Sequence, residues 1–319
     1  MYDDTLAFAF LGTEIYAYGL MVMLGVWAGL VLFYALCGKC PALKDAAVLT
    51  GLMALPLALM LARLLYCLGD PAFHPLLSLK NVLNLRTGGF AMYGALTGAV
   101  LTALMAARLG KISAAPLLDR LAPALAAFLI PARLGEGFTM LGLSRPLTIE
   151  AVAGSFLARQ ESYGSFLRTY LIEALVAMIL LWVLMTKLRR PHKAGQVFTL
   201  GCLLYGISQT LMESLRFDGH LRYSFVGLQQ VLSAVLFGVT LIVLAARAIR
   251  RGGKKTLPFI TLALLPVIVG AAIALEFMID RSSAGKIAAY GLYILLLAIP
   301  AQLGILLLRQ EAAYDQRAD

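Results

Sequence analysis

The chain has 319 residues, 61% of them hydrophobic and only 14% charged, with a mean hydropathy of +0.85. Soluble globular domains carry about a quarter of their residues as charges, so this composition excludes a cytosolic enzyme, and an apolar content this high excludes intrinsic disorder. The formal net charge of +10 sits in short loops between apolar runs, where Lys and Arg set membrane topology and meet anionic headgroups, and no basic domain is left to bind nucleic acid.

A spanning helix needs about 20 mostly apolar residues. Nine runs qualify: 15–37, 46–68, 88–108, 115–135, 170–188, 196–215, 225–247, 257–278 and 287–308. The predicted fold is all-α, a polytopic integral membrane protein with about nine transmembrane helices. An acidic stretch (Asp3, Asp4, Glu14) precedes the first run and lacks the basic n-region and cleavage site of a signal peptide, so that run is expected to stay as a span. Two connections on the predicted outer side are long, 69–87 and 136–169. Within the second, 147–168 has apolar residues at helix-like spacing among charged ones, which predicts an amphipathic helix on the outer face. The pair Gly252–Gly253 in RRGGKK reads as a linker between a seven-helix domain, 1–251, and a two-helix C-terminal extension with a short polar tail, 252–319. No internal repeat supports a transporter built from inverted halves.

Loop cations orient the chain. With the N-terminus outside, the inner loops hold the dense groups Lys187, Arg189, Arg190, Lys193 and Arg247, Arg250, Arg251, Lys254, Lys255, with Lys39, Lys44, Arg108, Lys111, Arg309 and Arg317. The outer loops, with Lys80, Arg86, Arg145, Arg159, Arg168, Arg216, Arg222, Arg281 and Lys286, are poorer, which predicts N-out and C-in. Cys37 and Cys40 form a CxxC with no second pair or nearby His, and Cys67 and Cys202 lie in apolar runs, so the thiols read as incidental and no metal site or cofactor is expected.

Ionisable side chains inside spans cost about 2.5–3.5 kcal/mol each, so their positions carry information. Tyr18, Arg63, Tyr93, Arg133, Glu173, Glu213, Arg216, Gln229 and Gln230 all fall near the outer ends of their runs. At 1.5 Å per residue this is one polar layer, roughly 10 Å deep, fed by seven helices. In the sixth run Tyr205, Gln209, Glu213 and Arg216 recur at helical spacing on one face. Snorkelling arginines neutralised by structural carboxylates account for any one of these residues. The whole set in one leaflet points to a polar cavity, and arginines there suit a phosphate-bearing lipid headgroup, because guanidinium grips phosphate bidentately.

Seven stretches resemble prolipoprotein diacylglyceryl transferases in order and spacing: YAYGLMVMLGVWAG (16–29), ARLLY (62–66), GGFAMYGALTG (88–98), APALAAFLIPARLGEGF (122–138), LIE (171–173), YGISQTLMESLRFD (205–218) and GLQQVLS (227–233). The resemblance covers about residues 10–250. It implies a multi-pass enzyme of the bacterial cytoplasmic membrane, active on its outer side. Such an enzyme moves the diacylglyceryl group of phosphatidylglycerol to the lipobox cysteine in the signal peptide of a preprolipoprotein, releasing glycerol phosphate. By this resemblance Arg133, Tyr93, Glu136 and Glu213 are the catalytic candidates, and Tyr18, Arg63, Gly89, Gly94, Glu173, Gln209, Arg216 and Gln230 the substrate-binding ones. The chain departs from the family pattern at four places. Tyr93 stands for the histidine of the HGG motif, Glu136 for the asparagine of the central signature, Leu141 for a glutamate further along that loop, and Gln209 for an arginine in span six. Two other readings stay open: a divergent paralogue that binds phospholipid or serves a different acceptor, and a lipid or solute transporter.

Overall fold

The computed structural model describes residues 5–10, 13–84, 88–147, 150–218, 221–251, 255–281 and 285–318. Asp3, Asp4, Arg86, Gly252, Gly253 and Lys254 lie outside the described residues. Two compact units are formed, the first by Met1–Arg190 with Arg216–Leu221, the second by Pro191–Leu215 with Arg222–Asp319.

The first unit begins with an antiparallel hairpin of β1 (Leu6–Phe10) and β2 (Thr13–Tyr16), which leads into α1 (Ala17–Leu36). Pro41, pre-set for a helix start, opens α2 (Pro41–Gly69). A 3-10 turn (Pro71–Leu76) and the short α3 (Leu79–Leu83) follow, capped by the Asp70 and Ser78 side chains. Next come α4 (Met92–Leu109) and α5 (Ala114–Gly135), then a 3-10 turn at Glu136–Phe138. Between there and α7 (Thr169–Arg189) the chain forms β3 (Leu143–Pro146), the single turn α6 (Glu150–Ala153), β4 (Ala158–Glu161) and β5 (Gly164–Arg168), in sheet order β3-β5-β4.

The amphipathic helix expected over 147–168 is therefore replaced, among the described residues, by one helical turn and a hairpin. The chain reverses at Ser162–Tyr163, and Gly164 adopts φ +148°, a conformation that a side chain disfavours and that ends any helix. The flanking ARQE and GSFLR pair residue by residue, and Phe166 turns inward against Leu143 and Tyr170.

Helix contacts in this unit are built on small residues, as expected where lipid offers no hydrophobic drive to association. Gly25 and Gly29 of α1 face the backbone of α5, where a Cβ would sit 2.5 Å from the Phe128 carbonyl oxygen and 3.0 Å from that of Ala124. Gly94 and Gly98 of α4 face α2 in the same way, with a Cβ 2.3 Å from the Leu61 carbonyl oxygen and 2.5 Å from the Ala58 Cα. Phe33 of α1, Ala47 of α2, Ala103, Ala106 and Ala107 of α4 and Leu117 and Leu121 of α5 close the other core of the unit.

The second unit contains α8 (Gln196–Leu215), the hairpin strands β6 (Arg222–Tyr223) and β7 (Val226–Gly227), α9 (Leu228–Arg250), α10 (Thr256–Arg281) and α11 (Lys286–Ala318). All four long helices supply its core: Leu203 and Ile207, Phe237 and Leu241, Leu275 and Ile279, Tyr293 and Leu297. The chain is all-α in its membrane part and multi-pass. Among the described residues eight helices are long and apolar enough to cross a membrane: α1, α2, α4, α5, α7, α9, α10 and α11. The predicted run 196–215 is the ninth long helix, α8. It has spanning length but stands outside that set, since Gln196, Tyr205, Gln209 and Glu213 dilute its apolar content. The Cys37 thiol donates to the Phe33 carbonyl, and all four cysteines are free.

Candidate functional site

At the end of α5 the helical path tightens into a 3-10 turn, which brings Glu136 back over Arg133 one turn earlier. Arg133 Nη1 donates to Glu136 Oε1 at 2.7 Å, and its Nε lies 2.8 Å from Glu173 Oε2 in the first turns of α7. Arg216 completes the arrangement from the opposite side. Its Nη1 donates to Glu173 Oε1 at 2.7 Å, and its Nη2 lies 3.0 Å from Glu136 Oε2 and 2.9 Å from Asp218 Oδ2. These five side chains are at most 4% exposed.

Two guanidinium groups thus meet three carboxylates, and Glu136 and Glu173 each bridge both arginines. Bridging carboxylates fix the plane of each guanidinium, which is the orientation needed to present donors to a planar or tetrahedral anion. The loop geometry that permits this depends on Gly142, at φ +67°. Its amide donates to Asp218 Oδ2 at 2.6 Å, and a Cβ there would stand 2.8 Å from Glu136 Oε2 and 2.7 Å from the Tyr170 Cβ.

Arg216 was expected on the face of the sixth run with Tyr205, Gln209 and Glu213. The helix instead ends at Leu215, and Arg216 pairs as a β-bridge with Ser144 while the Phe217 amide donates to the Leu143 carbonyl. The segment Arg216–Leu221 belongs to the first unit. Leaving the helix is what turns Arg216 toward Glu136 and Glu173. Asp218 was not singled out from the sequence, although the Arg-x-Asp spacing within LRFD was its one visible signal.

Arg63 has a different role in the unit. Its guanidinium donates to the carbonyl oxygens of Gly88, Gly89 and Asn81 and lies 5.2 Å from the Phe73 ring centre and 6.0 Å from that of Tyr66. Gly89, at φ +81°, is pressed against Tyr66, with a Cβ position 2.4 Å from its ring. Gly94 is accounted for by the α2–α4 contact. Tyr93 is buried in the first turn of α4, and Tyr18, half-buried in the first turn of α1, has its ring against Gly135 at the end of α5.

The remaining predicted residues belong to the second unit. Tyr205, Gln209 and Glu213 are all buried along α8, as a single inward face requires. Gln230 is buried in the first turn of α9. Its Oε1 accepts from the Gly227 amide at 3.4 Å, and its Nε2 is shared among the Thr210 carbonyl (3.3 Å), Glu276 Oε2 (2.9 Å) and the Tyr293 hydroxyl (3.4 Å).

A family model described as prolipoprotein diacylglyceryl transferase matches residues 5–246. Three curated proteins named phosphatidylglycerol–prolipoprotein diacylglyceryl transferase are similar to this chain. That of Finegoldia magna is 29% identical over 248 residues, which cover 74% of this chain and 95% of that protein. That of Clostridium novyi is 27% identical over 250 residues, 75% of this chain and 95% of that protein. That of Bifidobacterium longum is 26% identical over 224 residues, 64% of this chain and 71% of that protein.

Proposed function

From the premise that the chain belongs to the prolipoprotein diacylglyceryl transferase family, we propose that it transfers the diacylglyceryl group of phosphatidylglycerol to the lipobox cysteine of a preprolipoprotein. The observation that supports this most is the buried constellation of Arg133, Glu136, Glu173, Arg216 and Asp218. The reaction needs cations for a departing phosphate and a base for a thiol whose ordinary pKa is about 8.5.

In this reading Glu136 is the base. It takes the cysteine proton, and the thiolate attacks the glyceryl carbon that carries the phosphate ester. A C–S bond forms, the C–O bond breaks, and glycerol phosphate leaves with the electron pair. Glu136 also holds Arg133 through Oε1 and Arg216 through Oε2. Once it is neutralised by the proton, both ion pairs weaken, and the guanidinium edges turn to the developing charge on the phosphate. Proton uptake and leaving-group stabilisation are thereby coupled in one side chain. Tyr93 donates a hydrogen bond to a phosphate or ester oxygen, with Tyr18 beside the same end of α5. Glu173 and Asp218 keep the arginines oriented. The protein works in the bacterial cytoplasmic membrane with N-out, C-in topology and the cluster on the outer side.

The test is expression in cells depleted of their own enzyme. The lipoprotein precursor gains the mass of a diacylglyceryl group with the wild-type chain and not with Arg133→Ala. No gain from a well-expressed wild-type chain overturns the proposal. If phosphatidylglycerol then still co-purifies and raises the melting temperature, the chain is a lipid-binding paralogue.

A further inference from the structure

We propose that Glu276 and Tyr293, on the two helices beyond the family match, are positioning residues that fix Gln230 and, through it, the turn at Gly227 beside Glu213. Residues 256–318 lie outside the matched range 5–246, so nothing in the family likeness assigns α10 or α11 a task. Their apolar side chains, Leu275, Ile279 and Leu297, pack against Leu203, Ile207, Phe237 and Leu241. Packing alone calls for further leucines. It gives no reason for a carboxylate and a phenol at 3% and 1% exposure, because ionisable groups inside apolar helices are costly.

The geometry gives the reason. Glu276 Oε2 accepts from Gln230 Nε2 at 2.9 Å, and its Oε1 lies 4.0 Å from Arg222 in the β6–β7 hairpin. The Tyr293 hydroxyl is 3.4 Å from the same Gln230 nitrogen, and Tyr290 donates to the Ser214 carbonyl at 3.0 Å, one residue after Glu213. With its nitrogen held by α10 and α11, Gln230 turns its oxygen to the Gly227 amide, capping the first turn of α9. Gly227 lies beside Glu213, close enough that a Cβ built there would stand 3.6 Å from Glu213 Oε2. A chain of contacts thus runs from the extension to the turn at Gly227, beside the carboxylate that the resemblance makes a catalytic candidate. The extension is part of the working enzyme, and this consequence for catalysis rests on the transferase reading.

The test uses the full-length protein in lipid nanodiscs containing phosphatidylglycerol, with E276L, E276Q, Y293F, Q230A and the Q230A/E276L double variant. Amide hydrogen exchange and precursor transfer kinetics are measured together. E276L raises exchange at residues 226–230 by roughly tenfold while the middle of α8 and α10 is unchanged. It lowers kcat by roughly tenfold with KM for phosphatidylglycerol within about twofold. E276Q, which keeps an acceptor, retains most of the activity, Y293F shows a smaller effect of the same pattern, and the double variant is no worse than Q230A alone. Unchanged exchange at 226–230, or a rise spread evenly over all four helices in both E276L and Y293F, overturns the proposal. So does a local rise with wild-type kcat. If the wild-type chain transfers nothing, the transferase reading fails on its own, and the exchange pattern decides whether Glu276 positions the turn.

Discussion

The two units each bury a polar cluster, and they do it by opposite means. In the first unit charge meets charge: among the described residues two arginines and three carboxylates share six short N–O approaches of 3.2 Å or less, and the Gly142 amide adds a seventh to Asp218. In the second a neutral amide, Gln230, is the hub, and one carboxylate and one phenol hold it. Removing one member of a buried ion pair leaves an uncompensated charge, whereas removing one neighbour of an amide leaves a weaker bond elsewhere. The first cluster is therefore expected to fail all at once and the second by degrees.

The sharpest way to break that contrast is Arg133→Ala. It is expected to abolish transfer and to destabilise the first unit by about 3–5 kcal/mol, read from the melting temperature in detergent. Glu136→Gln keeps the shape and loses the base; transfer is expected to fall by roughly 10²–10³-fold, and the wild-type rate in this variant would remove Glu136 from the mechanism. A smaller change of different origin is Gly94→Val, which drives a side chain into the Leu61 carbonyl. It is expected to cost about 1–3 kcal/mol in thermal stability. Gly142→Ala, strained at φ +67° and crowded by Tyr170 and Glu136, is expected to cost about 1–2 kcal/mol and to lower activity through Glu136. At the other extreme, Arg159→Ala removes a partly exposed pair with Glu161 on β4, together with a bond to the Thr139 carbonyl, and is expected to shift stability by about 1 kcal/mol. An Arg159 effect as large as that of Arg133 would show that burial does not set what an ion pair in this unit is worth.

Each long helix among the described residues falls on a predicted run, because a span imposes a length and an apolar content that are visible in sequence, diluted only in α8. Most boundaries agree within about five residues, as for 170–188 against Thr169–Arg189, but the last helix runs on to Ala318, ten residues past the predicted 308, because a helix continues past the apolar run that marks its span. It went astray at 147–168, where apolar spacing alone does not separate a short helix from a hairpin and the turn at Ser162–Gly164 decides. Of the candidate site, Arg133, Glu136, Glu173 and Arg216 were named and come together. Their bonding was not legible, since it depends on Arg216 leaving α8 to pair with Ser144. Arg63 shows a second kind of illegibility. Its guanidinium donates to main-chain oxygens, which every residue carries and which leave no trace in composition or spacing. The departures that the resemblance implies at Tyr93 and Gln209 set a further comparison: on the proposed transferase reading, Tyr93→His together with Gln209→Arg is expected to raise the transfer rate by roughly tenfold.

That tether at Arg63 has an evolutionary consequence. A guanidinium that grips carbonyls is indifferent to the side chains those residues bear, so what it asks of its three partners is a backbone path and not a side-chain identity. The constraint falls instead on the arginine, whose planar fork of five donors a lysine does not reproduce, and on Gly89, where the Tyr66 ring admits nothing larger. Relatives of this chain are thus expected to tolerate change at Asn81, which gives the arginine only a carbonyl, and to resist it at Gly88 and Gly89, both at positive φ.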